Sequence, residues 1–223
     1  MKTAKTILVW DLPVRVFHWL LVLSFFGAFV TAESERWMPV HITLGYTVAA
    51  LVALRLVWGL VGTRTARFAS FVRGPGAALA YLRSLLGGQP QRHVGHNPAG
   101  ALAIVAMLGL AAAVTATGWA GYQDLAGEWL KELHEGAADL MLALVAVHVV
   151  AVLLSSWLHK ERLVPAMITG RKPGAPGEGI TRAWRPLGVL VLAGVLGFWA
   201  WQWSAAPAAL DNPASMASRH DDD

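Results

Sequence analysis

The chain has 223 residues, 56% of them hydrophobic and only 14% charged, with eleven Trp, no Cys and a formal net charge of +4. With a mean hydropathy of +0.49, this balance excludes an ordinary water-soluble domain and points to a polytopic membrane protein. The absence of Cys excludes disulfides, iron–sulfur ligation by this chain and any cofactor attached through thioethers.

Five apolar stretches are long enough to span a bilayer: residues 13–32, 41–61, 98–117, 134–158 and 186–203. The first carries Arg15 and His18 in its opening turns. It is too long for a signal-peptide core and lacks a small-residue cleavage site at its far end, so it reads as a retained helix. The second opens at His41 and holds Arg55 within about two turns of its end. A basic loop, 62–97, ends in His96 and leads into the third stretch. The fourth carries His134 at its start and His148 fourteen residues later. A second basic loop, 159–185, precedes the fifth and shortest stretch, and a polar tail follows from Ser204. Within that tail His220 stands beside Asp221 to Asp223, a pattern that reads as a solvated tail rather than a metal site.

The basic residues are unevenly shared between the two ends of the spans. One end collects Lys2, Lys5, Arg15, Arg64, Arg67, Arg73, Arg83, Arg92, Lys160, Arg162, Arg171, Lys172, Arg182 and Arg185; the other has Arg36, Lys131 and Arg219. Because Lys and Arg resist translocation, the N-terminus and both basic loops are expected in the cytoplasm and the C-terminus in the periplasm. The outer end is acidic, with Glu33, Glu35, Asp124, Glu128, Glu132, Asp211 and Asp221 to Asp223. The positive total is therefore no sign of nucleic-acid binding.

Depth sorts four histidines into pairs. His134 and His148 lie about 21 Å apart along one helix, and fourteen steps of about 100° bring them to nearly the same side. With alternating spans, His18 shares the inner level with His148, and His41 shares the outer level with His134. Two facing imidazoles at each of two depths suit two non-covalent haem groups stacked across the membrane. Taken singly, each His could be satisfied by a backbone carbonyl or by the headgroup boundary. An ionisable side chain in mid-span, as at His148, is costly and marks function. Arg55 and Arg15 are placed to reach a propionate of the inner haem, or else to snorkel to headgroups. Gly27, Gly45 and Gly118 suit either close approach of a flat macrocycle or close helix packing. His96 reads as a contact to a quinone head group or propionate, or as a loop residue that caps or faces water. His93 and His159 receive no role.

Several strings resemble the prokaryotic cytochrome b-561 family, which includes the b-type subunits of nickel–iron hydrogenases and is similar to the b subunit of membrane formate dehydrogenase. They are Val9-Trp10-Asp11-Leu12-Pro13-Val14-Arg15-Val16-Phe17-His18-Trp19, Arg55-Leu56-Val57-Trp58-Gly59-Leu60-Val61-Gly62-Thr63 with Ala66-Arg67-Phe68, Gly95-His96-Asn97-Pro98-Ala99-Gly100, the His134/His148 pair, and Met167-Ile168-Thr169-Gly170-Arg171-Lys172. The likeness covers about residues 7–172. It implies an all-α polytopic four-helix bundle holding two haem b groups on His18, His41, His134 and His148, with a fifth, C-terminal span outside the resembling region. Residues 1–172 then form the dihaem transmembrane domain, and 173–223 the linker, fifth helix and periplasmic tail.

The expected function is electron transfer across the inner membrane between the quinone pool and a periplasmic redox protein, either a hydrogenase or a cytochrome c. The acidic outer face suits a basic partner there. No Gly-x-Gly-x-x-Gly follows a strand, so the chain is not expected to take hydride from NADH itself. Two alternatives are a self-sufficient superoxide:ubiquinone oxidoreductase, an activity found in the resembling family, and a haem-free ion transporter or scaffold. Membrane lipid surrounds the chain in every case, and self-association into a homo-oligomer is compatible with each.

Overall fold

A computed structural model describes residues 5–88, 91–125 and 127–205. Lys2, Asp211, Arg219, His220 and Asp221 to Asp223 lie outside the described residues. Helix α1 (Leu12–Thr31) starts where its sequence says it should: Asp11 is in extended conformation and its Oδ1 accepts a 2.9 Å bond from Val14 N. Pro13 stands in the first turn, where a missing N–H costs nothing. A 3-10 turn (Glu35–Trp37) leads into α2 (Met38–Val61). Asn97 caps α4 (Pro98–Tyr122), its Oδ1 accepting from Gly100 N at 2.7 Å, again with Pro in the first turn. Helices α5 (Glu128–Leu158) and α7 (Arg185–Ala205) complete five apolar helices long enough to cross a membrane.

The fold class expected from sequence holds, with three local differences. Helix α5 begins six residues before the apolar stretch, because Glu128, Lys131 and Glu132 are good helix formers. His134 thus lies in its second turn rather than at its start. Apolarity marks the thickness of the hydrocarbon layer, whereas the helix continues until its backbone is capped. Second, the basic loops contain short helices, α3 (Pro75–Leu86) and α6 (Leu163–Thr169). Third, β1 (Thr6–Leu8) and β2 (Arg171–Pro173) pair antiparallel with Ile7 opposite Lys172.

Phe17 and Leu20 of α1, Val48, Leu51 and Val52 of α2, Leu108 and Ala111 of α4, and Met141 of α5 form the shared core. Helix α7 packs along α1 outside this four-helix unit. Its Trp199 Nε1 donates to Thr47 Oγ1 of α2 at 2.9 Å, and a side chain at Gly188 would collide with Leu12. Large apolar side chains such as Val30, Val147 and Leu153 point outward, as lipid-facing surfaces require. Three intramembrane hydroxyls are satisfied by their own helices: Thr31, Thr47 and Thr115 donate to the carbonyls of Gly27, Thr43 and Ala111, whereas the buried Ser24 Oγ of α1 has no partner among the described residues.

One end of the bundle is tied together by Asp11, which is fully buried. Besides capping α1, its Oδ2 accepts from Trp58 Nε1 at 3.0 Å and Thr63 Oγ1 at 2.6 Å, joining the start of α1 to the end of α2. Val9 N and Trp10 N donate to Gly170 O, and Leu12 N donates to Ala183 O. Replacing Asp11 by Ala removes the cap and strands two buried donors, an expected loss of about 3 kcal/mol. Thermal unfolding of the purified protein in detergent checks this, with Asp11→Asn expected to lose less.

Candidate functional site

At the end of the bundle away from Asp11, α2 and α5 bring His41 and His134 together. Their ring centroids are 6.1 Å apart and their planes are inclined at 79°. Each ring is oriented by the backbone of a neighbouring helix: His41 Nδ1 donates to Ala28 O at 2.8 Å, and His134 Nδ1 donates to Val114 O at 2.9 Å. A carbonyl only accepts, so Nδ1 carries the proton in both rings and the Nε2 lone pairs remain free. An imidazole binds a metal ion at about 2 Å, so two rings flanking one ion have centroids about 6 Å apart.

The three intramembrane glycines singled out in the sequence have different surroundings. A Cβ at Gly118 would lie 2.7 Å from His134 Cε1, so its bare backbone makes room for the imidazole itself. Gly27 makes room for Leu44. Only Gly45, one turn beyond His41, faces open space.

His18, His148, Arg55, Arg15 and His96 belong to the opposite end. His18 packs edge-on against Trp19 at 5.0 Å, and it lies within electrostatic reach of His148 and of His96. Arg55 does not snorkel. It is buried, its Nη2 donates to Ala66 O at 3.0 Å, and its guanidinium lies 4.7 Å from the Phe68 ring centroid. Arg15 Nη2 donates to Ile168 O. His96 does not cap α4; it is half-buried, its ring between Trp10 and Phe71, with centroids 4.5 Å from each. His93 and His159 bond the nearby carbonyls of Gln91 and Ser155.

Five buried side-chain nitrogen or oxygen atoms lack a partner among the described residues, and four of them are Arg15 Nε, His18 Nδ1, Arg55 Nη1 and His96 Nδ1. Unsatisfied buried polar atoms are rare in folded proteins and signal a missing group. Two of these are cationic donors and two are imidazole nitrogens, a set that fits a metal-bearing macrocycle with acidic substituents. Sequence reasoning missed two residues here. Asp11, which caps α1 and ties it to α2, received no role from the sequence. Lys172 is buried, with Nζ 2.6 Å from Glu161 Oε2, and its charge bears on His96.

Comparison with known proteins places the chain in a family. The profile of the family described as prokaryotic cytochrome b561 matches residues 9–170. Among the similar curated relatives are three that carry the name "Probable Ni/Fe-hydrogenase B-type cytochrome subunit". That of Rhizobium leguminosarum bv. viciae is 23% identical, covering 75% of this chain and 89% of the relative. That of Cupriavidus necator is 24% identical, covering 76% and 88%. That of Azotobacter vinelandii is also 24% identical, covering 76% and 90%. No solved structure matches the chain.

Burial, reinforced by the charges of Arg55 and Lys172, pushes the His96 imidazole down from 6.5 to about 3, so it is neutral at neutral pH. The unfolded chain takes up this proton near 6.5 and the folded chain only near 3, so stability is lost as pH falls through that window. The thermal midpoint is expected to drop between about pH 7 and about pH 4.5, and to drop less in His96→Phe. Melting curves of both proteins across that range check the difference.

Proposed function

The chain belongs to the prokaryotic cytochrome b561 family, and from that membership we propose that it carries two haem b groups and moves electrons across the bacterial inner membrane, between the quinone pool and a periplasmic redox protein. That it is a multi-pass membrane cytochrome of the b type, engaged in electron transfer, follows from the family and from the five apolar helices. When bound, haem b supplies a one-electron ferric–ferrous couple. His18 with His148, and His41 with His134, are the ligand pairs. The cluster of unpartnered atoms on Arg15, His18, Arg55 and His96 carries the reading, since it asks for an acidic, metal-bearing group where the paired histidines lie.

The residues divide the work. His41 and His134 present Nε2 because Ala28 O and Val114 O hold their Nδ1 protons. Arg55, anchored by Ala66 O and Phe68, keeps Nη1 free for a carboxylate, and Arg15 offers Nε nearby. His96, neutral and flanked by two aromatic rings, offers a polar edge to a quinone head group or propionate. The relatives are named as hydrogenase subunits, which favours a hydrogenase as the periplasmic partner, with a cytochrome c as the other class. The unequal distribution of Lys and Arg supports a cytoplasmic N-terminus.

A reduced-minus-oxidised spectrum with a pyridine haemochrome count tests this. Two low-spin b-type haems per chain are expected, falling to one in His148→Ala and to one, of different spectrum, in His41→Ala. Two unaltered haems in His148→Ala would refute the ligand map, and turnover with quinone in the absence of any partner protein would refute the dependence on a periplasmic partner.

A further inference from the structure

Two adjoining hollows open where the linker before α7 crosses the ends of α1 and α2. One, of about 290 Å³, is lined by Thr63, Arg64, Arg182 and Trp184 among others. The second, of about 450 Å³, is lined by Arg182, Ala183, Trp184, Arg185 and Pro186. They share Arg182 and Trp184, their walls are mostly apolar, and Arg64, Arg182 and Arg185 are the basic residues that contribute to them. We propose that the two hollows form a binding site for the phosphate of an acidic phospholipid, with Arg64, Arg182 and Arg185 as its cationic rim.

Three observations point to this ligand. The first is unbalanced charge. Among the described residues the ion pairs are Arg92 and Lys172 with Glu161, and neither includes Arg64, Arg182 or Arg185. Glu178, the carboxylate of the linker, is turned to Ala175 N at 2.8 Å. Arg64 uses Nη2 on the carbonyls of Glu178 and Gly179, which holds the linker in place and leaves its charge uncompensated. The second is depth. Arg185 is the first residue of a candidate span, so the rim lies at a bilayer boundary, where basic pockets between transmembrane helices take anionic headgroups.

The third observation is Trp184. Its φ of +49° is uncommon for a bulky residue and needs support from its surroundings. That support comes from Trp58, whose ring meets it edge-on at 5.3 Å, and Trp58 is itself held by Asp11. Trp184 lines both hollows and remains 44% exposed. Indole at headgroup level is the usual membrane anchor, and beside three arginines it completes an amphipathic surface for phosphate above and glycerol and acyl chain below.

The test is lipid binding by the full chain in detergent, read by native mass spectrometry with phosphatidylglycerol, phosphatidylcholine and inorganic phosphate as separate probes. One phosphatidylglycerol per chain is expected to be retained, at least tenfold more tightly than phosphatidylcholine. The pair Arg182→Gln with Arg185→Gln is expected to weaken phosphatidylglycerol by about 20-fold. Arg182→Lys with Arg185→Lys keeps most of the preference, and Arg73→Gln with Arg83→Gln, elsewhere on the same end, leaves it unchanged. Unchanged melting temperatures in these variants separate lost binding from lost folding. Equal retention of the two lipids, an undiminished preference in the Gln pair, or displacement of phosphatidylglycerol by equimolar inorganic phosphate would each overturn the proposal.

Discussion

The carboxylate of Asp11 accepts three bonds inside a protein whose surroundings offer it no water. One oxygen fixes the first turn of α1, and the other gathers the indole of Trp58 and the hydroxyl of Thr63 from the end of α2. Much of this end of the molecule follows from that arrangement. The height of α1 sets the height of His18 and Arg15. The Trp58 ring supports Trp184, and with it the turn into α7. The strand before Asp11 is drawn against Gly170 and pairs with Arg171–Pro173, which brings the chain after α5 back over the same end. A buried anion of this kind is tolerated only when it is fully hydrogen-bonded, so its partners are as constrained as it is.

The bilayer imposes a second rule: a polar group within it must find its partner in the protein. The spanning hydroxyls obey it locally, by bonding to carbonyls one turn back. Ser24 Oγ, mid-way along α1, is an exception, and the other four are on Arg15, His18, Arg55 and His96 at one end of the bundle. Hydrophobic packing holds the four-helix core, but this polar residue set, not the packing, distinguishes the chain from a generic bundle.

Much of this was legible in the amino-acid sequence, for physical reasons that can be traced residue by residue. Span length and apolarity located five helices because hydrocarbon thickness is a fixed ruler. The histidine levels were legible because helical rise is constant. What escaped was whatever depends on partners distant in sequence. Asp11 bonds Trp58, 47 residues on, a partner that no local pattern reveals. His96 sits in a polar, basic stretch that suggests exposure, yet Trp10 and Phe71 enclose it. Arg55 carries the same local signature as a snorkelling arginine, and only the fold of Ala66–Phe68 over it turns it inward. The first turns of α5 were missed because charged residues there continue a helix that apolarity alone would end.

The bonds that orient His41 and His134 have a consequence for assembly. Each is made within a sequential hairpin: the carbonyl of Ala28 on α1 serves His41 on α2, and that of Val114 on α4 serves His134 on α5. Neither ring needs the other hairpin to take its tautomer and direction. A chain inserted helix by helix can therefore finish each imidazole as soon as its own pair of helices has closed. Docking of the two preset halves is then the step that brings the two rings to 6.1 Å, so their pairing is tied to the union of the halves and not to the folding of either one.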